Sequence, residues 1–360
     1  MKDNILLISR PHFGTSIGPY KWTQYLRKKY NVTTITYNTE TENPTKYNFD
    51  DVKHIYISKR GNKIVRALRF ILYTIFYIAF FKGRVIVTFF PGCSIYKRIL
   101  FRKPMILDIR TLGIFDSEDK NIKHDKSVAE STKLYDHTIF LSEGMRNKIT
   151  DDTVNTSIVP LGADILDETD KLFDDSLRLL YIGRFYNRDI HKTIEGVHLF
   201  HTKYPEVKIS YDIIGFAMYN EDEYLYELVN KYNLSEIINF RGAIHEESTK
   251  LKYIQNANIG VSFVPITPYY DFQPVTKSFE YILSGLFCIA TDTYSNREII
   301  TSKNGILIND TPESFSDALE YFMTNKDSLN STIIRDSLQE YNWESIVNDI
   351  LIPRIENTDK

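Results

Sequence analysis

Six short β-rich runs fill the second half of the chain and leave few folds open. They are LRLLYIG (177–183), VKISYDIIG (207–215), IINFRG (237–242), ANIGVSFVP (257–265), LFCIAT (286–291) and GILIND (305–310). Helical segments separate them, among them HKTIEGVHLFHTKY, EYLYELVNKYN and STKLKYIQNAN. Strands alternating with helices imply a parallel sheet covered on both faces. Gly183, Gly215 and Gly242 end three of the runs, where the backbone must turn tightly toward the next helix. Ligands of open α/β sheets bind beyond the carboxyl ends of the strands. The loops after Gly183, Gly215, Pro265 and Thr291 are therefore where a site is expected.

The first half is looser but of the same kind. NILLIS opens it, a loop with Gly14 and Gly18 follows, and NVTTITYN, DVKHIYI, RVIVTFFP, PMILDIR, HTIFLS and TSIVPLG continue the series. At 360 residues the chain has room for two cores. The acidic, polar stretch LGADILDETDKLFDDSLR suits a boundary. We expect a first domain over 1–165, a second over 166–337, and a C-terminal helix in 338–360 packing back on the first. Two such domains in tandem would bring two sets of strand-end loops to one interdomain cleft, which suits a two-substrate transfer.

Charge divides the same way. Residues 1–165 carry 26 Lys and Arg against 16 Asp and Glu, and the remainder carries 18 against 31. Opposite halves of this kind suggest different partners. With only Cys93 and Cys288, the chain has neither a disulfide framework nor a thiolate metal spacing. No apolar stretch reaches the roughly 18 residues of a membrane span, and the N-terminal run reads as a strand rather than a signal peptide. A cytoplasmic protein is expected.

The stretch DFQPVTKSFEYILSG (271–285) reads as a helix opened by Pro274 and stopped by Gly285. Lys277 and Glu280 share one face of it. A lysine so near a helix N-terminus opposes the dipole, which suits a phosphate ligand, although a solvated Lys–Glu pair reads equally well. In YIGRFYNRDIHK (181–192), Arg184, Arg188 and Lys192 gather cations where a helix begins, a place that also offers free N–H groups to a phosphate.

In their order and spacing these motifs resemble family 4 glycosyltransferases, which have the two-Rossmann GT-B fold. PVTKSFEYILSGLFCIATD is similar to the branch written P-x-K-x-x-E-Y-x-x-x-G. FLSEGMRNKI, IVPLGAD, YIGRF, DIIG and FRGAI precede it in the family's order, so the likeness runs along nearly the whole chain. The resemblance implies an α/β GT-B protein: two Rossmann-like, doubly wound parallel-sheet domains facing an interdomain cleft. It implies a nucleotide-sugar donor on the second domain, with Glu280 accepting from the ribose hydroxyls. Arg184, Arg188 and Lys277 would lie on the pyrophosphate, and the backbone at Val275 and Thr276, with Gly14, Gly183 and Gly215, would approach the donor. Arg184, Lys277 and Glu280 are the catalytic expectations. Transfer would be retaining and metal-independent, and no Asp-x-Asp occurs in the chain.

Two departures stand out. Asp189 occupies the place of the family's lysine after the arginine, and Phe272 that of its first signature glutamate, with the adjacent Asp271 a cleft candidate that could serve if the loop shifts by one residue. They keep two alternatives open: a non-catalytic nucleotide-sugar-binding subunit and a nucleotide-sugar epimerase. In the first domain, LDIRTLGIF resembles a strand end of related enzymes. Asp108 and Arg110 there would bind acceptor or donor phosphate, or simply brace the loop as an ion pair. His12, His124 and His137 are conceivable bases.

The segment 59–84 sets Arg60, Lys63, Arg66 and Arg69 at helical spacing before the uncharged run FILYTIFYIAFF. It reads as a helix packed on the sheet, or as one meeting an anionic membrane surface at the inner face of the cell. A lipid-linked saccharide acceptor would suit that placement. Nucleic acid is not expected, because the cations border an apolar run rather than a polar groove.

Overall fold

The structure is a computed structural model and describes residues 2–39, 47–115, 117–151, 153–217, 221–244 and 246–357. The chain forms two compact units, one of residues 1–161 with 343–360 and one of residues 162–342.

The first unit runs β1 (Asn4–Ile8), α1 (Ile17–Lys29), β2 (Asn31–Asn38), β3 (Lys53–Ser58), α2 (Lys63–Phe80), β4 (Arg84–Thr88), α3 (Ile95–Ile99), β5 (Ile106–Ile109), α4 (Glu118–Thr132), β6 (His137–Phe140), α5 (Glu143–Ile149) and β7 (Thr156–Ile158). Its seven strands are all parallel in the order β3-β2-β1-β4-β5-β6-β7. Ile5 to Ile8, Val85 to Val87 and Ile106 to Ile109 are buried, as expected of central strands covered on both faces. The tail, from Trp343 onward, belongs to this unit, and Lys28 of α1 pairs with Glu344 at 2.7 Å.

The second unit runs β8 (Ser176–Arg184), α6 (Ile190–Lys203), β9 (Lys208–Phe216), α7 (Glu221–Lys231), β10 (Ile238–Gly242), α8 (Glu247–Asn256), β11 (Ile259–Ser262), α9 (Thr276–Leu283), β12 (Phe287–Thr291), α10 (Tyr294–Arg297), β13 (Gly305–Ile308) and α11 (Pro312–Asn325). Six parallel strands lie in the order β10-β9-β8-β11-β12-β13. The acidic stretch read as a boundary begins at Leu161, where the first unit ends, and the rest of it belongs here, with Asp167 and Lys171 buried as an ion pair.

The strand order reverses between β8 and β11, and there the sheet opens. The two strands pair only at Leu179 and Leu180, after which the Ile182 N–H donates to the Tyr281 hydroxyl at 2.9 Å. A side chain from α9 thus replaces a ladder bond where the strands part, satisfying a backbone donor that would otherwise be left buried. This is the switch point at which doubly wound sheets hold their ligands.

Candidate functional site

The helix carrying Lys277 and Glu280 begins at Thr276, with Val275 as its N-terminal cap and Pro274 one residue further upstream. Tyr281 fixes its rotation: the ring lies against Gly260 of β11 and the hydroxyl meets β8. A buried polar chain fixes its depth. Ser262 and Ser278 hydroxyls lie 2.7 Å apart, Ser278 donates to Asn296 Oδ1 at 3.0 Å, and Asn296 Nδ2 donates to the Thr291 carbonyl at 2.8 Å. Lys277 stands one turn before Tyr281 and so faces the same strand end.

There Lys277 meets Gly183. A methyl group at Gly183 would lie 2.4 Å from Lys277 Cε and 2.5 Å from Nζ, so a side chain there would push the end of the lysine off β8. The ammonium sits 4.1 Å from the centre of the Tyr181 ring. Burial, and then the nearby Arg188, push the Lys277 pKa down to about 7 from an ordinary 10.5, with Glu280 pulling the other way. The ammonium is thus poorly compensated by the protein's own groups. A lysine held in this way gains from any anion that arrives.

Arg184 is exposed at the end of β8, and its carbonyl accepts from the Tyr181 hydroxyl. The Arg188 guanidinium lies 4.6 Å from the Tyr270 ring centre. Between them the chain makes a sharp turn in which Asn187 and Asp189 both take positive φ, at 52° and 50°. Asp189 caps α6 in this left-handed conformation and pairs with Lys192 at 2.9 Å. Strain of this kind at a strand-to-helix turn accompanies binding sites. Gly215 pairs with Gly183 in register, and a methyl group on it would lie 1.8 Å from the Gly183 carbonyl oxygen. Its glycine is demanded by the approach of two strand ends.

Glu280 does not stand alone. Lys250 of α8 donates to Glu280 Oε2 at 3.0 Å, leaving Oε1 for a further donor. Nothing local in the sequence marks this pair, because its members are thirty residues apart. Asp271, adjacent to Phe272, spends one carboxylate oxygen on the Tyr294 N–H at 2.6 Å, at the start of α10. Phe272 packs on the Tyr294 ring with centroids 5.1 Å apart.

The first unit has candidates of its own. Asp108 and Arg110, at the end of β5, form an ion pair at 2.8 Å, with Thr88 also donating to the carboxylate. The guanidinium stacks 4.0 Å from the Trp22 ring centre and lies against Gly18, bracing α1. Burial raises the Asp108 pKa, and Arg110 opposes that rise. Gly14, at φ +91°, lies under the Tyr47 ring. His12 is buried and stacks on Tyr56, His124 contacts Asp125, and buried His137 bonds to Ser157. Among the described residues, no cluster of His, Cys, Asp and Glu is built to hold a metal ion.

Residues 176–325, which contain all of the α9 cluster, match the family model described as glycosyl transferases group 1. No protein of curated function matches the chain by sequence. Solved structures match along its length. The N-terminal domain of trehalose-6-phosphate phosphatase from Candida albicans has a TM-score of 0.76 at 11% identity, covering 100% of this chain and 98% of that one. The Anabaena protein Alr3699/HepE, solved with UDP and glucose, has a TM-score of 0.75 at 12% identity, covering 98% and 100%. The lipopolysaccharide outer core galactosyltransferase WaaB has a TM-score of 0.72 at 14% identity, covering 98% and 99%. Likeness at such identities is likeness of fold, and the fold is GT-B.

Proposed function

We propose that the protein is a glycosyltransferase that moves a sugar from a nucleotide-sugar donor to a hydroxyl of a saccharide acceptor. The observation that carries this reading is the Lys277 ammonium lying against Gly183 and the Tyr181 ring at the switch point of a sheet whose residues match a glycosyltransferase family model. In this reading Lys277, Arg184 and Arg188 hold the diphosphate, while Glu280 accepts from the ribose hydroxyls through Oε1. The bond between the anomeric carbon and the diphosphate oxygen breaks as the acceptor oxygen bonds to that carbon on the same face. The acceptor's proton passes to the departing phosphate oxygen. Charge builds on the diphosphate, and the three cations stabilise it there without a metal ion. The acceptor is a lipid-linked saccharide of surface polysaccharide or glycoconjugate synthesis, assembled on the cytoplasmic side of the membrane.

UDP-glucose is the first donor to try, with a panel of other nucleotide sugars and short lipid-linked saccharides as acceptors. Acceptor-dependent release of the nucleoside diphosphate, with a glycosylated product, supports the proposal. Binding with no turnover across the panel, or sugar isomerisation without an acceptor, overturns it.

The lysine gives an independent test. With a pKa of about 7 among the protein's own groups, Lys277 is mostly neutral at pH 8 and mostly charged at pH 6. A bound diphosphate restores the charge, so UDP binding at pH 8 should take up a proton, approaching about one per site, and much less at pH 6. Calorimetry in buffers of different ionisation heat reads this number directly. For stability the sign is opposite. The unfolded chain keeps this proton up to the ordinary lysine value, so the buried ammonium weakens the fold most below pH 7, and the penalty fades as pH rises.

Lys250 supplies a milder expectation. Its pair with Glu280 is partly exposed and worth roughly 0.5–1 kcal/mol. Lys250→Ala should therefore raise the donor KM by about two- to fivefold through a looser Glu280, leaving kcat nearly unchanged. Steady-state kinetics at varied donor concentration would show it.

A further inference from the structure

From Val52 to Leu107 the chain carries 12 Lys and Arg and no Asp or Glu. The helix α2 lies inside this run. Phe70, Thr74 and Ile78 form its buried line, with the Thr74 hydroxyl donating to the Tyr96 hydroxyl at 2.6 Å. Its opposite line is Ile64, Leu68, Leu72, Phe76 and Phe80, which are 70%, 53%, 63%, 68% and 74% exposed. Five large apolar side chains at intervals of four residues thus stand in water along the whole length of the helix. Soluble proteins seldom leave such a stripe uncovered without a partner for it.

In sequence the stripe is flanked by cations, and Asp3, paired with Arg84, is an exposed carboxylate near its C-terminal end. Lys59, Arg60 and Lys63 are exposed at its N-terminal end, and Lys82 at its C-terminal end. Beside that end is a groove of about 690 Å³ whose lining includes Phe76, Tyr77, Phe80 and Phe81, with Lys53 and Lys82 among the polar groups. An apolar line flanked at both ends by cations, and continuous with a groove of aromatic walls and lysines, matches a surface that is apolar beneath and anionic at its face. A second copy docking through the same helix would have to bring its own cations against these. Among the described residues no helix is long and apolar enough to cross a membrane.

We infer that α2 docks the first unit on an anionic lipid bilayer. It lies in the interface plane with the Ile64-to-Phe80 line among the acyl chains and Lys59, Lys63 and Lys82 at the headgroups. The groove at its C-terminal end takes a lipid headgroup or the first part of an acyl chain. This surface stands independently of the transfer reading, since it involves none of the residues assigned to the donor.

The test is flotation of the full chain with vesicles of phosphatidylcholine alone or mixed with phosphatidylglycerol, without any nucleotide. The protein should float with the mixed vesicles, far less with the neutral ones, and less as salt is added. Each of Lys59→Ala and Lys63→Ala should weaken partition about fivefold. Leu72→Asp with Phe76→Asp should abolish it, while the thermal midpoint and UDP binding stay as in the parent, because both side chains are exposed. Three results would overturn the inference: no flotation of the parent protein, flotation indifferent to the anionic lipid, or flotation retained by the double variant. A fourth would as well: a dimer in solution that the double variant dissociates, with no vesicle binding, would make the stripe an interface between copies.

Discussion

Lys277→Met is expected to lower kcat for sugar transfer by about 10²–10³ while making the fold no less stable, and more stable below pH 7. Methionine keeps an unbranched, apolar stem of similar reach, so the packing over Gly183 and against Tyr181 survives. What is lost is one charge placed where a leaving diphosphate would gather negative charge, and removal of a single such donor from a preorganised site has that order of cost. Stability moves the other way because the ammonium pays for desolvation that no carboxylate in contact with it relieves. Its pKa of about 7 records that cost. Activity lost with a raised thermal midpoint would tie the lysine to chemistry. Unchanged nucleoside diphosphate release would remove it from the site, and a fall in both would make it structural.

A second large effect is expected from the smallest of changes. Gly215→Ala should destabilise the second unit by about 3 kcal/mol or more, at the upper end of overpacking effects. The added methyl would lie 1.8 Å from the Gly183 carbonyl oxygen and 2.8 Å from Phe185 Cε1, and the first of these neighbours is backbone. Relief requires β8 and β9 to part at their carboxyl ends, which also moves Gly183 from beneath Lys277. Gly242→Ala is the control. Its φ of +65° carries strain but nothing stands within 4 Å, so about 1 kcal/mol is expected. Urea denaturation of both variants, read as the shift in midpoint at constant slope, separates crowding from backbone strain. A Gly215→Ala protein as stable as Gly242→Ala would mean that the two strand ends have room to spare.

Much of this fold is legible in the sequence because β-runs buried on both faces are apolar throughout and end at glycines or turns. Their bounds are less legible where apolar chain continues past the ladder. ANIGVSFVP reads as one long strand, yet β11 covers only Ile259–Ser262. Just before it, Asn258 bonds to β8 with its side chain as well as its backbone, the amide oxygen accepting from the Arg178 N–H and the amide nitrogen donating to the Ser176 carbonyl. Beyond β11, Phe263 and Val264 stay buried in a loop, and hydrophobicity cannot tell such a loop from a strand.

The candidate site divides along similar lines. Arg184, Arg188, Lys277 and Glu280 lie in two short motifs, and the structure brings both motifs to the end of β8. Lys250 could not be read, since its link to Glu280 is made by tertiary packing alone. Asp271 could be read as a spare carboxylate, but the structure engages one of its oxygens at the start of α10. In α2 the run FILYTIFYIAFF is apolar all round, so periodicity cannot show which line is buried. Packing against Tyr96 decides it.

The return of the tail into the first unit has a consequence for how the molecule is made. Trp343, Ile346, Val347, Leu351 and Ile355 are all buried, and they belong to a core whose other members lie before residue 162. The second unit is one uninterrupted segment, clasped at its base where the Ala163 N–H donates to the Tyr341 carbonyl. During synthesis it can therefore fold as soon as residue 342 has left the ribosome. The first unit, although its strands are translated earlier, waits with an incomplete core until Trp343 to Ile355 have emerged. Its unfinished surface is then the part of the nascent chain most in need of a chaperone.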